Sequence, residues 1–416
     1  MGARDIHTTC CIAGGGPAGL MLGFLLARAG IDVVVLEKHA DFLRDFRGDT
    51  IHPSTIDLLD ELGLKEAFLE LPHNEIEGLD VVLSGNRIQP VDFTRLGGGT
   101  RFLVLMPQWD FLNFIVAQAS KLERFRLVVN SEVTGLVRDG DRVSGATVTD
   151  AEGDFVVTAD LTVAADGRDS VVRRASGLAI KEFGVAVDVL WFHLPMERKE
   201  RKERPTLAYL DQKSMVLTIP RSDYYQAGML IPKGGFGELK AAGLPAFRER
   251  IACTAPVVAS VVDSLQSWDQ VKLLSVQVNR LSRWYLPGFL CIGDAAHAMS
   301  PAFGVGVNFA IQDAVATANH LVGPLSSGTL TTRDLARVQR RRLWPVRIMQ
   351  PIQLQLHKRI ANAGPGVNLP NPLPRRIRFV LRLVLPVMRR VAARVVGRVI
   401  RPERLSRELR RRFVLN

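Results

Sequence analysis

The chain has few cysteines, and no cysteine pair has the spacing of a metal site. Of its 416 residues only 4 are cysteine, and none of them form a C-x-x-C pattern. Three (Cys10, Cys11 and Cys291) fall in apolar stretches that are predicted to be core strands. This usage argues against a disulfide framework and a zinc site and is typical of a reducing compartment. We therefore expect a cytoplasmic protein without a bound metal.

The sequence also lacks a segment that is typical of secretion or of membrane insertion. Residues 8–27 are uncharged, but their centre reads Gly-Gly-Gly-Pro-Ala-Gly, which favours a turn. A transmembrane helix needs about 20 consecutive apolar residues without such an interruption. We expect neither a signal peptide nor a membrane-spanning helix.

Outside its C-terminus the chain has no excess of either charge. The formal net charge is +12, and residues 373–416 contain 14 Arg and 2 Glu, which accounts for all of it. The basic isoelectric point therefore does not predict nucleic-acid binding by the body of the protein.

Near the N-terminus the sequence has the pattern strand, glycine turn, helix, strand, acid. The apolar residues 10–13 lead into Gly14, Gly16 and Gly19, which form G-x-G-x-x-G, and the β-branched run 33–36 ends at Glu37. In this motif the first glycine permits a tight turn, the second lets the backbone approach a pyrophosphate, and the third allows close helix packing. The acid at the end of the second strand is placed to bind a ribose. The stretch predicts a dinucleotide site.

Two later motifs follow in a fixed order. Residues 166–173 read Asp-Gly-Arg-Asp-Ser-Val-Val-Arg, and residues 293–297 read Gly-Asp-Ala-Ala-His. Together with the glycine motif, they resemble the single-component flavoprotein monooxygenases of the para-hydroxybenzoate hydroxylase family. The resemblance spans about residues 8–335.

The resemblance implies that the dinucleotide is FAD. Asp294 would bind a ribityl hydroxyl, Arg47 would bind the pyrophosphate, and Gln108 would bind near the ribityl chain. Asp166-Gly167 is associated with FAD and with transient contact of NAD(P)H. The residues expected at FAD are Gly14, Gly16, Pro17, Ala18, Gly19, Glu37, Lys38, Arg47, Gln108, Asp166, Gly167, Asp294, Pro301, Gly304, Gly306, Val307 and Asn308.

Some residues near these motifs have simpler explanations. His297 is expected to be a hydrogen-bonded structural residue rather than a base. Arg173 could pair with Asp169 on a turn, and Gln108 could mark only the start of a helix.

The resemblance also implies a monooxygenase. NAD(P)H would reduce FAD, O2 would give a C4a-hydroperoxyflavin, and oxygen would pass to an aromatic or lipophilic substrate of quinone, polyketide or isoprenoid type, by hydroxylation or epoxidation. A base that ionises a phenol would help, and Asp49 and His52 are the candidates because their segment passes the flavin in the family. Three tyrosines, at 209, 224 and 225, lie where an insertion would cover the ring, although sheet packing explains them more simply.

Two other functions stay open. The first is an FAD-dependent reductase or dehydrogenase of an isoprenoid lipid, without oxygen insertion, and the second is a non-catalytic membrane-bound flavoprotein. A second G-x-G-x-x-G is missing, since Gly235 and Gly237 are followed by Lys240, so a permanent NAD(P)H domain is not expected. The W-x-W-x-I-P motif of flavin-dependent halogenases is also missing.

The expected fold is α/β. A Rossmann-like FAD-binding domain of the para-hydroxybenzoate hydroxylase type would comprise residues 1–80, 101–180 and 275–335. An inserted antiparallel-sheet substrate domain would comprise residues 81–100 and 181–274. Residues 336–416 would form a helical, basic C-terminal region.

The C-terminal region predicts two basic amphipathic helices, broken at Pro386, after a linker at 364–374. Arginines recur on one face and valines on the other. Residues 375–412 could dock on an anionic membrane at its inner face. Alternatively, the apolar face packs on the body or on a second subunit of a homodimer, with the arginines in solvent.

Overall fold

The computed structural model describes residues 4–43, 50–83, 85–196, 206–211, 214–221, 223–362 and 375–415. The α-helices are α1 Pro17–Arg28, α2 Pro53–Glu61, α3 Lys65–Leu69, α4 Gln108–Ala119, α5 Val171–Ser176, α6 Phe236–Ala242, α7 Leu244–Thr254, α8 Gly306–Ser326, α9 Thr332–Asn362, α10 Arg375–Gly397 and α11 Arg407–Leu415. The strands are β1 Ile6–Ala13, β2 Val33–Leu36, β3 Thr50–Ile51, β4 Asn74–Ile76, β5 Gly78–Leu83, β6 Asn86–Asp92, β7 Leu103–Leu105, β8 Phe125–Val128, β9 Glu132–Asp139, β10 Arg142–Asp150, β11 Gly153–Ala164, β12 Ile180–Phe183, β13 Val187–Pro195, β14 Thr206–Leu210, β15 Met215–Pro220, β16 Tyr224–Pro232, β17 Lys272–Leu274, β18 Val278–Leu281, β19 Tyr285–Leu286 and β20 Phe289–Cys291.

The largest sheet has a parallel centre. Strands β20, β11, β1, β2 and β8 lie side by side in this order and run parallel. The antiparallel strand β19 extends one edge, and the hairpin β9–β10 pairs with β11. Because β1 is paired on both sides and its end is covered on both faces, residues 10–13 are fully buried, which explains their unbroken apolar run. This sheet confirms the expected α/β fold.

A second sheet of seven strands has the order β17-β13-β16-β15-β14-β5-β6. Every neighbouring pair is antiparallel except β14 and β5. One face packs against α7, where Phe192 meets Phe247 edge to face. In the chain, two strands of this sheet (β5 and β6) lie between β2 and β8, and the other five lie between β11 and β20. This is the arrangement that the expected insertion requires. The domain boundaries themselves stay a prediction.

Two helix ends differ from the sequence prediction. The predicted break at Pro386 is wrong, because Pro386 lies inside the continuous helix α10. The sequence also predicts a helix over residues 247–262, but α7 ends at Thr254, just before Pro256 opens a 3-10 turn. The predicted linker at 364–374 lies outside the described residues.

The C-terminal helices lie against the body of the protein. Ala393 and Val396 of α10 are buried in an apolar cluster with Phe93 and Leu96. Leu409 of α11 joins the core of the parallel sheet. Within the described ranges, no helix combines the length and the apolar composition needed to cross a membrane.

Candidate functional site

Four strands of the parallel sheet end at the same level, and each is followed by a predicted site residue. The last residues of β2, β1, β11 and β20 are paired in register, as Leu36 with Ala13, Ala13 with Ala164, and Ala164 with Cys291. The chain after these ends carries Glu37, the glycine turn, Asp166-Gly167 and Gly293-Asp294. In open α/β sheets ligands bind outside the carboxyl ends of the strands. The three motifs therefore meet at one edge.

The glycine turn fits closely against the neighbouring strand. Gly14 has φ +106°, and a Cβ at this position would lie 2.5 Å from the carbonyl oxygen of Ala165. A Cβ at Gly19 would collide with the carbonyl oxygen of Gly14. Both positions therefore require glycine, one for its conformation and both for close approach.

The first turn of α1 presents backbone N–H groups. Its N-cap is Gly16, with Pro17 in the first turn, and no side chain caps it within the described part of the chain. The free N–H groups and the helix dipole favour an anion such as a pyrophosphate. This is the place expected for the FAD phosphates.

Glu37 supports the same turn. Its Oε2 accepts a hydrogen bond from the Gly15 N–H at 2.9 Å, and its Oε1 accepts one from the His39 N–H at 3.1 Å. A carboxylate has about four acceptor positions, and the ribose contact of Glu37 stays a prediction. The neighbouring Lys38 is exposed.

Asp166 is half-buried, and one of its oxygens is buried and unused. Its Oδ2 accepts a weak bond from the Val172 N–H at 3.3 Å, and its Oδ1 has no hydrogen-bond partner among the described residues. Burial raises the pKa of Asp166 above its ordinary value, although hydrogen bonds, that of Ser170 first, oppose this. Gly167 follows at φ +87°.

Two arginines join the Asp-Gly motif to the Gly-Asp motif. Arg168 lies 3.7 Å from the carboxylate of Asp294. The buried Arg173 donates to the carbonyl oxygen of Ala295 at 3.1 Å and to that of Arg168 at 2.7 Å. In the described structure Arg173 thus makes these backbone contacts rather than the suggested pair with Asp169, whose carbonyl oxygen accepts from Arg174.

Asp313 of α8 contacts the Gly-Asp loop and stabilises it. The Oδ2 of Asp313 accepts from the Gly293 N–H at 3.0 Å and from the Nε2 of His297 at 2.6 Å, and its Oδ1 accepts from Arg342 at 2.8 Å. Burial alone would raise the pKa of Asp313, but His297 and Arg342 outweigh it, so this pKa lies below its ordinary value. The contact of His297 agrees with the structural role expected for it.

The loop after Pro301 is tied to the start of α2. The carbonyl oxygen of Gly304 accepts from the Oγ1 of Thr50 at 2.7 Å and lies 3.0 Å from the Nε2 of His52. The Nδ1 of His52 lies 2.9 Å from the carbonyl oxygen of Val396 in α10.

His52 is completely buried, and burial lowers its pKa to about 4. A neutral imidazole donates only one hydrogen bond, and both ring nitrogens face backbone carbonyls, so these contacts favour positioning over proton transfer. A catalytic role for His52 stays a prediction. Asp49 and Arg47 lie outside the described residues.

The N-terminus of α8 carries the last predicted FAD residues. The helix begins at Gly306, and Val307 and Asn308 are buried. The Oδ1 of Asn308 accepts from Ser54 at 3.0 Å and from Thr55 at 2.6 Å. Its Nδ2 has no hydrogen-bond partner in the described part of the chain and is therefore a donor available to a ligand.

Sequence reasoning missed a buried cation beside α4. Gln108 is the first residue of this helix, and the nearby Asp110 has its pKa raised by burial, with the charge of Arg221 opposing the rise. The buried Arg221 follows β15 and donates to the Oε1 of Gln226 at 3.1 Å. No motif marks Arg221, because only the packing of the second sheet brings it near α4.

These features fit FAD. The glycine turn leaves room for a backbone approach to a pyrophosphate, and α1 offers N–H groups to it. Asp166 offers an unused buried acceptor and Asn308 an unused buried donor. Such groups suit a ligand that carries both hydroxyl groups and ring carbonyls.

The comparisons agree with this geometry. The model of a family described as "FAD binding domain" matches residues 7–343. The chain belongs to this family. It is 35% identical to 6-methylpretetramide 4-monooxygenase of Streptomyces rimosus, over 82% of the chain and 81% of that relative. The chain is an FAD-dependent oxidoreductase of the monooxygenase type.

Two further comparisons involve more distant proteins. The chain is 28% identical to the 12-dehydrotetracycline 5-monooxygenase/anhydrotetracycline 6-monooxygenase of Streptomyces rimosus, over 73% of the chain and 60% of that longer relative. The crystal structure of a probable FAD-dependent monooxygenase from Pseudomonas aeruginosa superposes with a TM-score of 0.74 at 21% identity, over 86% of the chain and 97% of that structure. The latter shows a shared fold.

Proposed function

We propose that the chain uses NAD(P)H and O2 to hydroxylate a polycyclic aromatic substrate of polyketide type. The observation that carries this proposal is the convergence of the three motifs at the in-register ends of β2, β1, β11 and β20. The substrate class is supported by the relative that is named for 6-methylpretetramide and covers most of the chain. FAD, when bound, supplies the redox chemistry with NAD(P)H and O2.

The residues of the chain would bind and orient this cofactor. The first turn of α1 holds the pyrophosphate, together with Arg47, and Glu37 holds the adenosine ribose. Asp294 binds a ribityl hydroxyl, and its orientation is supported by Arg168 at 3.7 Å. The buried amide of Asn308 donates to the cofactor through its Nδ2.

The substrate would lie between the seven-stranded sheet and the loop 301–304. Residues 81–100 and 181–274 form this substrate-binding part in our proposal. Arg221 is its buried cation, and a phenolate or enolate oxygen of the substrate would be stabilised near it. Asp49 is a candidate base for the substrate hydroxyl, and a catalytic role for His52 stays a prediction. The sheet excludes water from the reacting atoms.

Oxygen labelling tests the reaction. Purified protein with FAD, NAD(P)H and an anthracycline-like or tetracycline-like phenol under 18O2 should give a product with one 18O atom. The substrate should also accelerate bleaching of the flavin by NAD(P)H. A product that is reduced or desaturated and carries no label would instead support the reductase alternative. Flavin that NAD(P)H does not bleach with any substrate would support a non-catalytic protein.

We also propose that the exposed side of α10 docks on the anionic inner face of the cytoplasmic membrane. Arg376, Arg390 and Arg394 are exposed on this helix. The helix also exposes large apolar side chains, namely Phe379, Val384, Val387, Met388 and Val391. Such a face suits the boundary between anionic headgroups and acyl chains. A second copy of the chain, in a homodimer, is the competing occupant.

Flotation with vesicles separates these occupants. Full-length protein should float with vesicles that contain phosphatidylglycerol and not with neutral phosphatidylcholine vesicles, and salt should release it. The variant Val387→Glu should abolish flotation, whereas Val414→Glu, at an exposed valine of α11, should not. A dimer in sedimentation that Val387→Glu dissociates, without flotation, would favour the second copy.

A further inference from the structure

A segment that begins in the last turn of α10 is connected, through intermediate side chains, to both loops that are expected at the flavin. It comprises residues 396–403, and we refer to it as the C-terminal clamp. It lies beyond residue 343, where the family match ends. The clamp reaches one loop through Glu403 and the other through Val396.

The first connection is a series of ion pairs between charged side chains, most of them buried. The Oε1 of Glu403 accepts from Arg341 at 2.6 Å and lies 3.5 Å from Arg342. Arg342 donates to Asp313 at 2.8 Å, and Asp313 accepts from the Gly293 N–H at 3.0 Å. Asp313 and Arg342 are fully buried. Removal of one charge from such a chain leaves its neighbour uncompensated, so the remaining groups rearrange.

The second connection is through His52. Its two ring nitrogens lie 2.9 Å from the carbonyl oxygen of Val396 and 3.0 Å from that of Gly304. The ring thus lies between the last turn of α10 and the loop after Pro301, and in its neutral form it donates a hydrogen bond to one of the two carbonyl oxygens. Two separate connections from eight neighbouring residues reach the two flavin loops.

Gly293 explains why the ion chain matters for the cofactor. It has φ +59° in a single 3-10 turn, and its N–H is fixed by Asp313. The next residue is Asp294, so the orientation of the peptide between Ile292 and Gly293 affects where the Asp294 carboxylate lies. A displacement of Asp313 is therefore transmitted to Asp294 over one residue.

We propose that the C-terminal clamp positions the flavin loops, with Glu403 acting as a positioning residue for Asp294 through Arg342 and Asp313. This proposal rests on the proposed FAD site. A segment that merely stabilises the fold would affect the protein with and without FAD to the same extent. A positioning segment changes the affinity for FAD.

The test is the FAD affinity of full-length Glu403→Gln, measured by fluorescence titration of the apoprotein. Its dissociation constant should rise about tenfold, as expected when a charged hydrogen bond is lost. Glu403→Asp, which keeps the charge, should recover part of the affinity. Glu408→Gln is the control, because this glutamate lies in the same region but is exposed beside Arg412, and it should leave the affinity unchanged.

A double-mutant cycle tests the route. Asp313→Asn combined with Glu403→Gln should weaken FAD binding by less than the product of the two single effects, because both act through one chain of contacts. The proposal would be overturned by a Glu403→Gln variant that has a lower melting temperature but binds FAD within about twofold of the wild type. An equal loss in Glu408→Gln would also overturn it. Wild-type protein that fails to bind FAD would refute the proposed FAD site itself. This result is distinguishable from a failure of the clamp alone, in which the wild type still binds FAD.

Discussion

Arg173 and Ala295 are 122 residues apart in sequence, yet the guanidinium of Arg173 donates to the carbonyl oxygen of Ala295 at 3.1 Å. This bond fixes the Asp-Gly motif against the Gly-Asp motif. Because both motifs are expected at FAD, the geometry of the site depends on a buried side chain that need not touch the cofactor.

Loss of this bond should weaken FAD binding. In Arg173→Ala the carbonyl oxygens of Ala295 and Arg168 lose a charged donor, and the loss of each such bond costs about 1.5–3 kcal/mol. We expect the dissociation constant for FAD to rise at least about tenfold in fluorescence titration. Arg174→Ala is the control, because the side chain of Arg174 is exposed and donates to the backbone carbonyl oxygen of the neighbouring Asp169. Equal effects of the two variants would contradict this role of Arg173.

Gly14 and Gly140 offer a matched pair of substitutions. Both have positive φ, but a Cβ at Gly140 would meet no atom within 4 Å, whereas one at Gly14 would lie 2.5 Å from a carbonyl oxygen. Gly140→Ala should cost about 1 kcal/mol of unfolding free energy, the strain of the left-handed conformation. Gly14→Ala should cost more and should also abolish FAD binding. Urea unfolding measures the first quantity and titration the second, and equal stability losses would refute the packing argument.

Asp166→Asn tests the unused acceptor. Asparagine has nearly the same size as aspartate, but it has an NH2 group in place of one oxygen and carries no charge. A hydroxyl or N–H group of the cofactor that donates to this carboxylate therefore loses a charged acceptor. We expect FAD affinity to fall about fivefold or more, with little change in the stability of the apoprotein. Asp169→Asn, in the same motif, should bind FAD normally. Unchanged affinity in Asp166→Asn would place the cofactor elsewhere.

The buried His52 should make stability depend on pH. Its folded pKa is about 4, below the ordinary 6.5, so the unfolded chain takes up a proton between these values and the folded chain does not. The free energy of unfolding is therefore highest above pH 6.5 and falls as the pH is lowered toward 4. The loss at pH 5 amounts to about 2 kcal/mol.

Urea unfolding at pH 7 and pH 5 measures this effect. His52→Gln should reduce the difference between the two pH values, whatever its stability at pH 7, because the titrating group is gone. His7→Gln, at an exposed position, should preserve the wild-type difference. A His52→Gln variant with the full pH dependence would show that other buried groups cause it.

The strands and turns next to the motifs could be predicted because their signals are local. The apolar run before Gly14 and the β-branched run before Glu37 became β1 and β2. The C-terminal helix was less predictable. Pro386 has a strong local tendency to break a helix, yet α10 continues through it, and its later half packs on Phe93 and Leu96.

The sequence by itself determined the order of the motifs, the α/β fold and a dinucleotide site, because glycines and acids at strand ends have one short-range geometric meaning. That the dinucleotide is FAD followed from the family resemblance. Tertiary structure decided which side chains hold these motifs together. Arg173, Asp313, Arg342 and Glu403 have no motif around them, and each acquires its role only when strands and helices distant in sequence are packed. The physical reason is burial: a charged group excluded from water must find its partner across the fold, and sequence spacing does not record that partner.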